Sequence, residues 1–308
     1  MNMLERTAYF EPIGSEEQNC EFIAMARKSF ARDVWERFCS NRRALIGLYV
    51  LALIVLLAII GPMISPYPYD GMGADINKGI SWNHWFGTDA LGRDLFTRVL
   101  YGVRISVMIG FVTTFINMLL GVLYGGIAGF AGGKTDMLMM RLVDVMYAIP
   151  SLLYIILLML ILGANVGSIM LGMCVSGWIG VARLMRSQVI ALKEREFALA
   201  AYTQGASPAR ILCRHLLSNA MGPLVVSATL NIPQAIFMEA FLSFIGMGIS
   251  APQASLGTLA QSARMYMSVF PNQMICPIAM ICLIIFALNF IGEGLDEALN
   301  PKGGNGRA

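Results

Sequence analysis

The chain has 308 residues, of which 57% are hydrophobic and 13% charged, with a formal net charge of +3. A soluble domain carries roughly 25% charged residues, so the composition excludes a soluble enzyme and points to an all-α polytopic membrane protein. The small positive balance gives no support for nucleic-acid binding. With two histidines and no His and Cys cluster at ligand spacing, neither a metal site nor a cofactor is expected.

Residues 1–43 read as a cytoplasmic tail. Within it Phe22, Ala26, Phe30, Val34 and Phe38 recur every four residues with Trp35 beside them. This spacing predicts an amphipathic helix, lying in the membrane interface or packed on another subunit. A bilayer core needs about 20 apolar residues per helix, and six runs approach or exceed that length: Ala44 to Ile64, about Ile105 to Phe130, Met137 to Leu162, Val166 to Met185, Ala220 to Ile245 and Met274 to Gly292. They define a membrane domain over 44–292, with a tail at 293–308. The polar stretch before the first run, and the Pro near its end, argue that this span is retained rather than cleaved as a signal.

The outer loop 65–104 carries Trp82, Trp85 and Phe86, which suit an interfacial aromatic belt. Its "GTDALGRD" offers Thr88 or Asp89 as a helix N-cap. Gly121, Gly125, Gly129 and Gly133 stand at four-residue spacing and predict a tightly packed helix neighbour. "AGFAGGKT", 128–135, fits a relaxed phosphate-binding loop pattern. That reading needs a preceding buried strand within an α/β domain, and a membrane span occupies the place instead, so the segment is a turn. A second outer loop, 246–273, has the composition of a short helix on the outer face.

Basic residues are retained on the cytoplasmic side of membrane proteins. Five of the 22 Lys and Arg residues, namely Lys78, Arg93, Arg98, Arg104 and Arg264, fall on one side and the rest on the side of the termini. Both termini are therefore expected in the cytoplasm. The cysteines fall in spans or on the cytoplasmic side, so a disulfide framework is not expected.

Ionisable and strongly polar groups inside spans are costly and are candidates for function. Asp144 lies one turn after Arg141, a spacing that permits a helical ion pair. Glu239 shares the fifth span with Asn231 and Gln234. These three are candidates for the pathway or its gate, with bonding between spans as the alternative for Glu239.

Between the fourth and fifth spans lies a polar cytoplasmic loop, 186–219. "EREFALAAYTQG" favours a helix that Gly205 ends, and "ASPARILCRHLL" starts another with Ser207 as N-cap and Pro208 at the first helical position. Two short helices around a small-residue turn are expected.

This loop resembles the hallmark of permease subunits of binding-protein-dependent ABC importers: Glu-Ala-Ala, three residues, Gly, nine residues, Ile, any residue, Leu-Pro. Ala200, Ala201, Gly205 and Leu217 match in spacing, while Leu199, His215 and Ser218 depart at the Glu, Ile and Pro positions. His215, together with "HWFGTDALGRDLFTRVLYG", "GGKTDMLMMRLVDV", "ARLMRSQVIALKEREF" and "EAFLSFIGMG", resembles the second permease subunit of dipeptide, oligopeptide and nickel importers. The resemblance runs from about residue 30 to Pro301. It implies a type I importer permease fold and a noncatalytic subunit forming half of a pathway for short peptides. The partners it implies are a homologous permease, two ATP-hydrolysing subunits and an extracytoplasmic substrate-binding protein. It also implies that Glu196, Ala200, Ala201, Gly205, Ala206 and Ser207 form a coupling helix and turn docked on an ATPase. Nickel or another small solute remains an alternative cargo, and an ion-coupled carrier using Glu239 or Asp144 an alternative class.

Overall fold

The computed structural model describes residues 29–250 and 252–300. Helix α1 (Phe30–Ser40) leads into α2 (Arg42–Ile64), whose N-terminus is capped by the Asn41 side chain bonding the Arg43 and Ala44 amides. After a long loop come α3 (Leu95–Ala131), α4 (Gly133–Ala148), α5 (Ser151–Leu162) and α6 (Val166–Lys193). Then follow α7 (Glu196–Thr203), α8 (Pro208–Arg210), a π-helical segment (Ile211–Leu216), α9 (Leu217–Phe244), α10 (Leu256–Ala263) and α11 (Asn272–Leu299).

Among the described residues, five helical stretches are long and apolar enough to cross a membrane, and the α4–α5 pair makes a sixth if its two halves count as one span. The expected third span is thus broken, with its halves bent by 76°. Pro150 disfavours the helical conformation at the preceding residue, and Ile149 is accordingly extended (φ −91°, ψ 125°).

The expected N-terminal helix is visible from Phe30 onward; Phe22 and Ala26 lie outside the described residues. Phe38 is buried among Ala44, Leu295 and Ala298, so α1 packs on the start of α2 and the end of α11, while Trp35 stays exposed. The last helix runs on to Leu299, past the apolar run that ended at Gly292. The second span likewise begins ten residues before its apolar run, at Leu95.

The N-cap of α3 is Asp94, rather than Thr88 or Asp89: its Oδ2 accepts from the Thr97 amide and hydroxyl, both at 2.8 Å. Thr88 instead ties the loop, accepting from the Lys78 amide and donating to the Asp75 carbonyl. Asp89 accepts from the Leu91 and Arg93 amides. In the same loop His84 Nδ1 lies 2.9 Å from Asp94 Oδ1, and the Lys78 ammonium bonded to Asp75 holds that carboxyl below the usual carboxylate range.

Helix α3 is central, and its close neighbour is α6, which runs parallel to it. A side chain at Gly121 would overlap Val181, at Gly125 the Ala182 carbonyl, and at Gly129 the Arg186 carbonyl and Val189. Three of the four stripe glycines therefore admit direct backbone approach, the arrangement small residues permit in membranes. Gly133 lies outside the contact. It follows Gly132, and both take positive φ (54° and 66°) to turn α3 into α4.

Two arginines in α3 serve tertiary roles. Pro62 has no N–H, which leaves the Ala58 carbonyl of α2 without its helical donor. Arg104 Nε donates to that carbonyl and Nη2 to the Ile59 carbonyl at 2.6 Å. Arg98 is buried, donates to the Tyr69 carbonyl and lies 3.7 Å from Asp89.

Asp144 pairs with Arg183 of α6 at 2.9 Å, with that guanidinium stacked 4.4 Å over the Tyr147 ring. The ion pair expected with Arg141 is therefore replaced by a contact between helices. About two turns earlier in α4, Asp136 takes a two-pronged bond from Arg186, 2.6 Å at Oδ2. Together the two pairs fasten α4 to α6.

Candidate functional site

The sequence candidates separate into three places along the molecule. At the end where α6 stops, α7 holds Ala198 and Ala201 inward, against a cluster that includes Val189, Ile211, Leu216 and Ala220. Glu196, Ala200, Gly205 and Ser207 are exposed and Ala206 is half-buried. The turn closes through the Gly205 amide on the Tyr202 carbonyl and the Ala206 amide on the Ala201 carbonyl at 3.1 Å.

Gly205 has φ +78°, a conformation that side-chain-bearing residues adopt at a cost. A Cβ there would meet nothing within 4 Å, so the glycine is required by backbone shape alone within this chain. Ser207 caps the next helix through the Arg210 amide, with Pro208 at the first position. That helix does not stop as a separate short element: it passes through the π segment into α9, giving one helical stretch from Pro208 to Phe244. The outer surface of α7 also carries Leu199 (54% exposed) and Tyr202 (74%). Sequence reading passed over Tyr202 and met Leu199 only as the departure from the hallmark's Glu; both add apolar area to the exposed face.

Halfway along the bundle, Asn231 and Gln234 of α9 line a cavity of about 150 Å³ with Thr114 and Asn117 of α3, Ser151 at the start of α5, and Gly177 of α6. Asn231 donates to the Ser227 hydroxyl at 3.4 Å, and Gln234 is exposed. Thr114 Oγ1 and Asn117 Oδ1 are buried without a hydrogen-bond partner in the chain. Asn117 and Thr114 were not singled out in the sequence. Their polarity within the apolar run of α3 was the available signal.

Glu239 lies apart from that cavity, toward the opposite end from α7. Its carboxyl is fully buried and accepts from Ser106 of α3 at 2.7 Å and from Ser243 of α9 at 2.8 Å. Ser106 also accepts from the Leu256 amide, and Ser255 reaches Ser243 at 3.4 Å. Ser255 and Thr258 form a reciprocal capping box that starts α10. Glu239 is thus the hub of a buried polar cluster joining α3, α9 and α10.

Among the described residues no group of three or more His, Cys, Asp or Glu side chains is placed to hold a metal ion. The five cysteines described are free, and Cys20 lies outside the described residues.

Comparison with known proteins bears on the whole chain. The family model described as "Binding-protein-dependent transport system inner membrane component" matches residues 121–303. A second, described as "N-terminal TM domain of oligopeptide transport permease C", matches residues 29–83. The oligopeptide transport system permease protein OppC of Bacillus subtilis (strain 168) is 44% identical, over 95% of this chain and 96% of its own. The dipeptide transport system permease protein DppC of the same strain is 42% identical, over 94% and 91%. OppC of Escherichia coli (strain K12) is 38% identical, over 93% and 96%.

Among solved structures, the inward-facing MetNI methionine ABC transporter aligns with a TM-score of 0.53 at 20% identity, over 66% of this chain and 96% of the other. At that identity the likeness concerns the fold, which is that of an ABC importer permease. Sequence relatives, family models and fold agree, and the chain belongs to the family of multi-pass inner-membrane components of binding-protein-dependent transport systems.

Proposed function

We propose that this chain is one of two homologous permeases in an ABC importer for short peptides, assembled with two ATP-hydrolysing subunits and an extracytoplasmic binding protein. The observation that carries this reading is the exposed, glycine-turned α7 segment, with relatives named for oligopeptide and dipeptide transport beside it. A short helix with low relief at Ala200 and a turn fixed by Gly205 suits a groove on a soluble partner. Glu196 and Ser207 flank it as exposed polar contacts, Leu199 and Tyr202 add apolar area, and Ala201 and Ala206 brace the segment from beneath. The excess of basic residues on the side of α7 supports a cytoplasmic location for it, and for both termini.

In this reading ATP binding to the partner subunits supplies the differential stabilisation of two permease states that any driven conformational change requires. α7 receives the movement. The continuous helix from Pro208 to Phe244 carries it into the bundle, past Asn231 and Gln234, which line the pathway. Glu239 anchors the outer end of that same helix to α3 and α10.

Gentle extraction of the chain from its native membrane tests the assembly. A second permease and ATPase subunits should co-purify; a chain that purifies alone and still transports would overturn the reading. Gly205→Val should reduce uptake and ATPase stimulation while membrane insertion stays intact.

A further inference from the structure

We infer that the mid-bundle cavity is a peptide-backbone subsite: a ring of uncharged amides and hydroxyls that reads the main chain of the cargo and ignores the charge of its side chains. This rests on the peptide-importer reading above and adds the chemistry by which the pathway would recognise its cargo.

The argument begins with polar groups that lack partners. A buried hydroxyl or amide without a hydrogen bond costs roughly 1–3 kcal/mol, and such groups in a folded chain call for an explanation. Thr114 is 5% exposed with its Oγ1 unpaired, and Asn117 Oδ1 is likewise buried and unpaired. Both residues line the same cavity as Asn231 and Gln234. Gly177 is part of this construction, because a side chain there would occupy the space filled by the Asn117 amide. The cavity is thus bordered by amide and hydroxyl side chains, and two of their atoms, Thr114 Oγ1 and Asn117 Oδ1, have no partner within the chain.

The identity of these groups selects the ligand chemistry. Asn and Gln amides each carry two donors and an acceptor, and a hydroxyl offers both roles. That is the complement of a peptide group, which presents one N–H and one C=O. No Asp, Glu, Lys, Arg or His stands among the lining residues. A site for a metal chelate or for one class of charged side chain would carry compensating charge, whereas an uncharged amide lining favours no sign. The volume fits this role. At about 30 Å³ per water in the liquid, 150 Å³ corresponds to roughly five waters, enough for one peptide unit and its flanking carbons. Side chains would then project away from this chain, and the apolar remainder of the lining, Ile155, Met173 and Met238, offers no polar feature that would sort them.

The test uses the complete transporter in proteoliposomes, with the binding protein saturated by each of three tripeptides, carrying Lys, Ser or Glu at the central position. Saturation removes the binding protein's own preference from the comparison. In the wild type the three uptake rates are expected to agree within about threefold. Gln234→Glu and Asn117→Asp, close in shape to the native residues, should shift the ratio of Lys-peptide to Glu-peptide uptake by about tenfold toward Lys. Asn231→Leu should lower all three rates together by about tenfold.

Complex assembly is followed by size-exclusion chromatography. If one variant fails to assemble, the other two carry the decision. Assembled variants with rates and ratios within twofold of wild type would overturn the subsite. A wild-type transporter that moves no peptide in this assay would instead overturn the importer reading on which the subsite rests, so the two failures are distinct.

Discussion

Removing the Glu239 carboxyl gives a sharp test of the idea that it ties helices together. Glu239→Ala deletes the acceptor for the Ser106 and Ser243 hydroxyls, which are 0% and 1% exposed. Each unsatisfied buried group costs roughly 1–3 kcal/mol. Serine hydroxyls in helices can turn back to the carbonyl one turn earlier, which recovers part of this loss. The net destabilisation should be about 2–4 kcal/mol. At roughly 2–4 °C per kcal/mol, the thermal midpoint of the detergent-solubilised chain should fall by about 4–16 °C.

The loss should be local in character. Because Ser106 also holds the Leu256 amide and Ser255 reaches Ser243, hydrogen exchange should accelerate across 255–263, at the start of α10. Glu239→Gln keeps the shape and one acceptor oxygen, and a hydroxyl that reverses can accept from the new amide, so it should cost about 1 kcal/mol or less. Thermal midpoints of both variants, with exchange at α10, decide the matter. An alanine variant as stable as wild type, or a glutamine variant as damaged as the alanine one, would refute the reasoning.

Other elements make separate predictions. Gly125→Val should force α3 from α6, because its Cβ collides with the Ala182 carbonyl rather than with a flexible side chain; overpacking of about 1–3 kcal/mol should appear as a lower thermal midpoint. Gly180→Ala, where a Cβ meets nothing, should change that midpoint little. Arg104→Met should leave the Ala58 carbonyl, which Pro62 deprives of its helical donor, without a partner and cost about 1–3 kcal/mol, whereas adding Pro62→Ala should restore part of the loss by returning the helical N–H. A double-mutant cycle on Asp136 and Arg186, bonded at two points, should give a coupling of up to about 1 kcal/mol. The more exposed Asp144–Arg183 pair should give less; equal couplings would remove the distinction.

The membrane spans were legible because hydropathy over about 20 residues is a long, redundant signal. The glycine stripe was legible for a similar reason: four small residues on one face imply a close neighbour, though only the fold names α6. Signals that depend on a distant partner were not available. Asp144 has Arg141 one turn away, but Arg183, distant in sequence, lies nearer in space. Asp94 outcompeted Thr88 and Asp89 as a cap because the loop spends both of those side chains on its own backbone.

The break at Ile149–Pro150 was written in the proline, yet a continuous apolar run masked it. The polar candidates of the fifth span separated for a geometrical reason. Asn231 and Gln234 meet α3 where Thr114 and Asn117 leave space, while Glu239, more than one turn further on, meets Ser106 and is enclosed. Ala201 was a good match in spacing to a hallmark position, but helix periodicity turns it, with Ala198, toward the chain's own core and leaves Leu199 and Tyr202 outside.

The glycine contact between α3 and α6 has a mechanical consequence. Two parallel helices whose backbones touch over Gly121 to Gly129 cannot slide or roll independently without collision, so they behave as a single beam. The end of α6 leads within three residues to α7, which places the beam's handle at the exposed segment. From Gly129 to Thr114 the distance along α3 is about 22 Å at 1.5 Å per residue. A tilt of only ~5° at the handle, about a fulcrum near Gly129, would displace the Thr114 and Asn117 wall of the cavity by about 2 Å over that length. That displacement is comparable to the difference between a hydrogen bond made across the cavity and one broken.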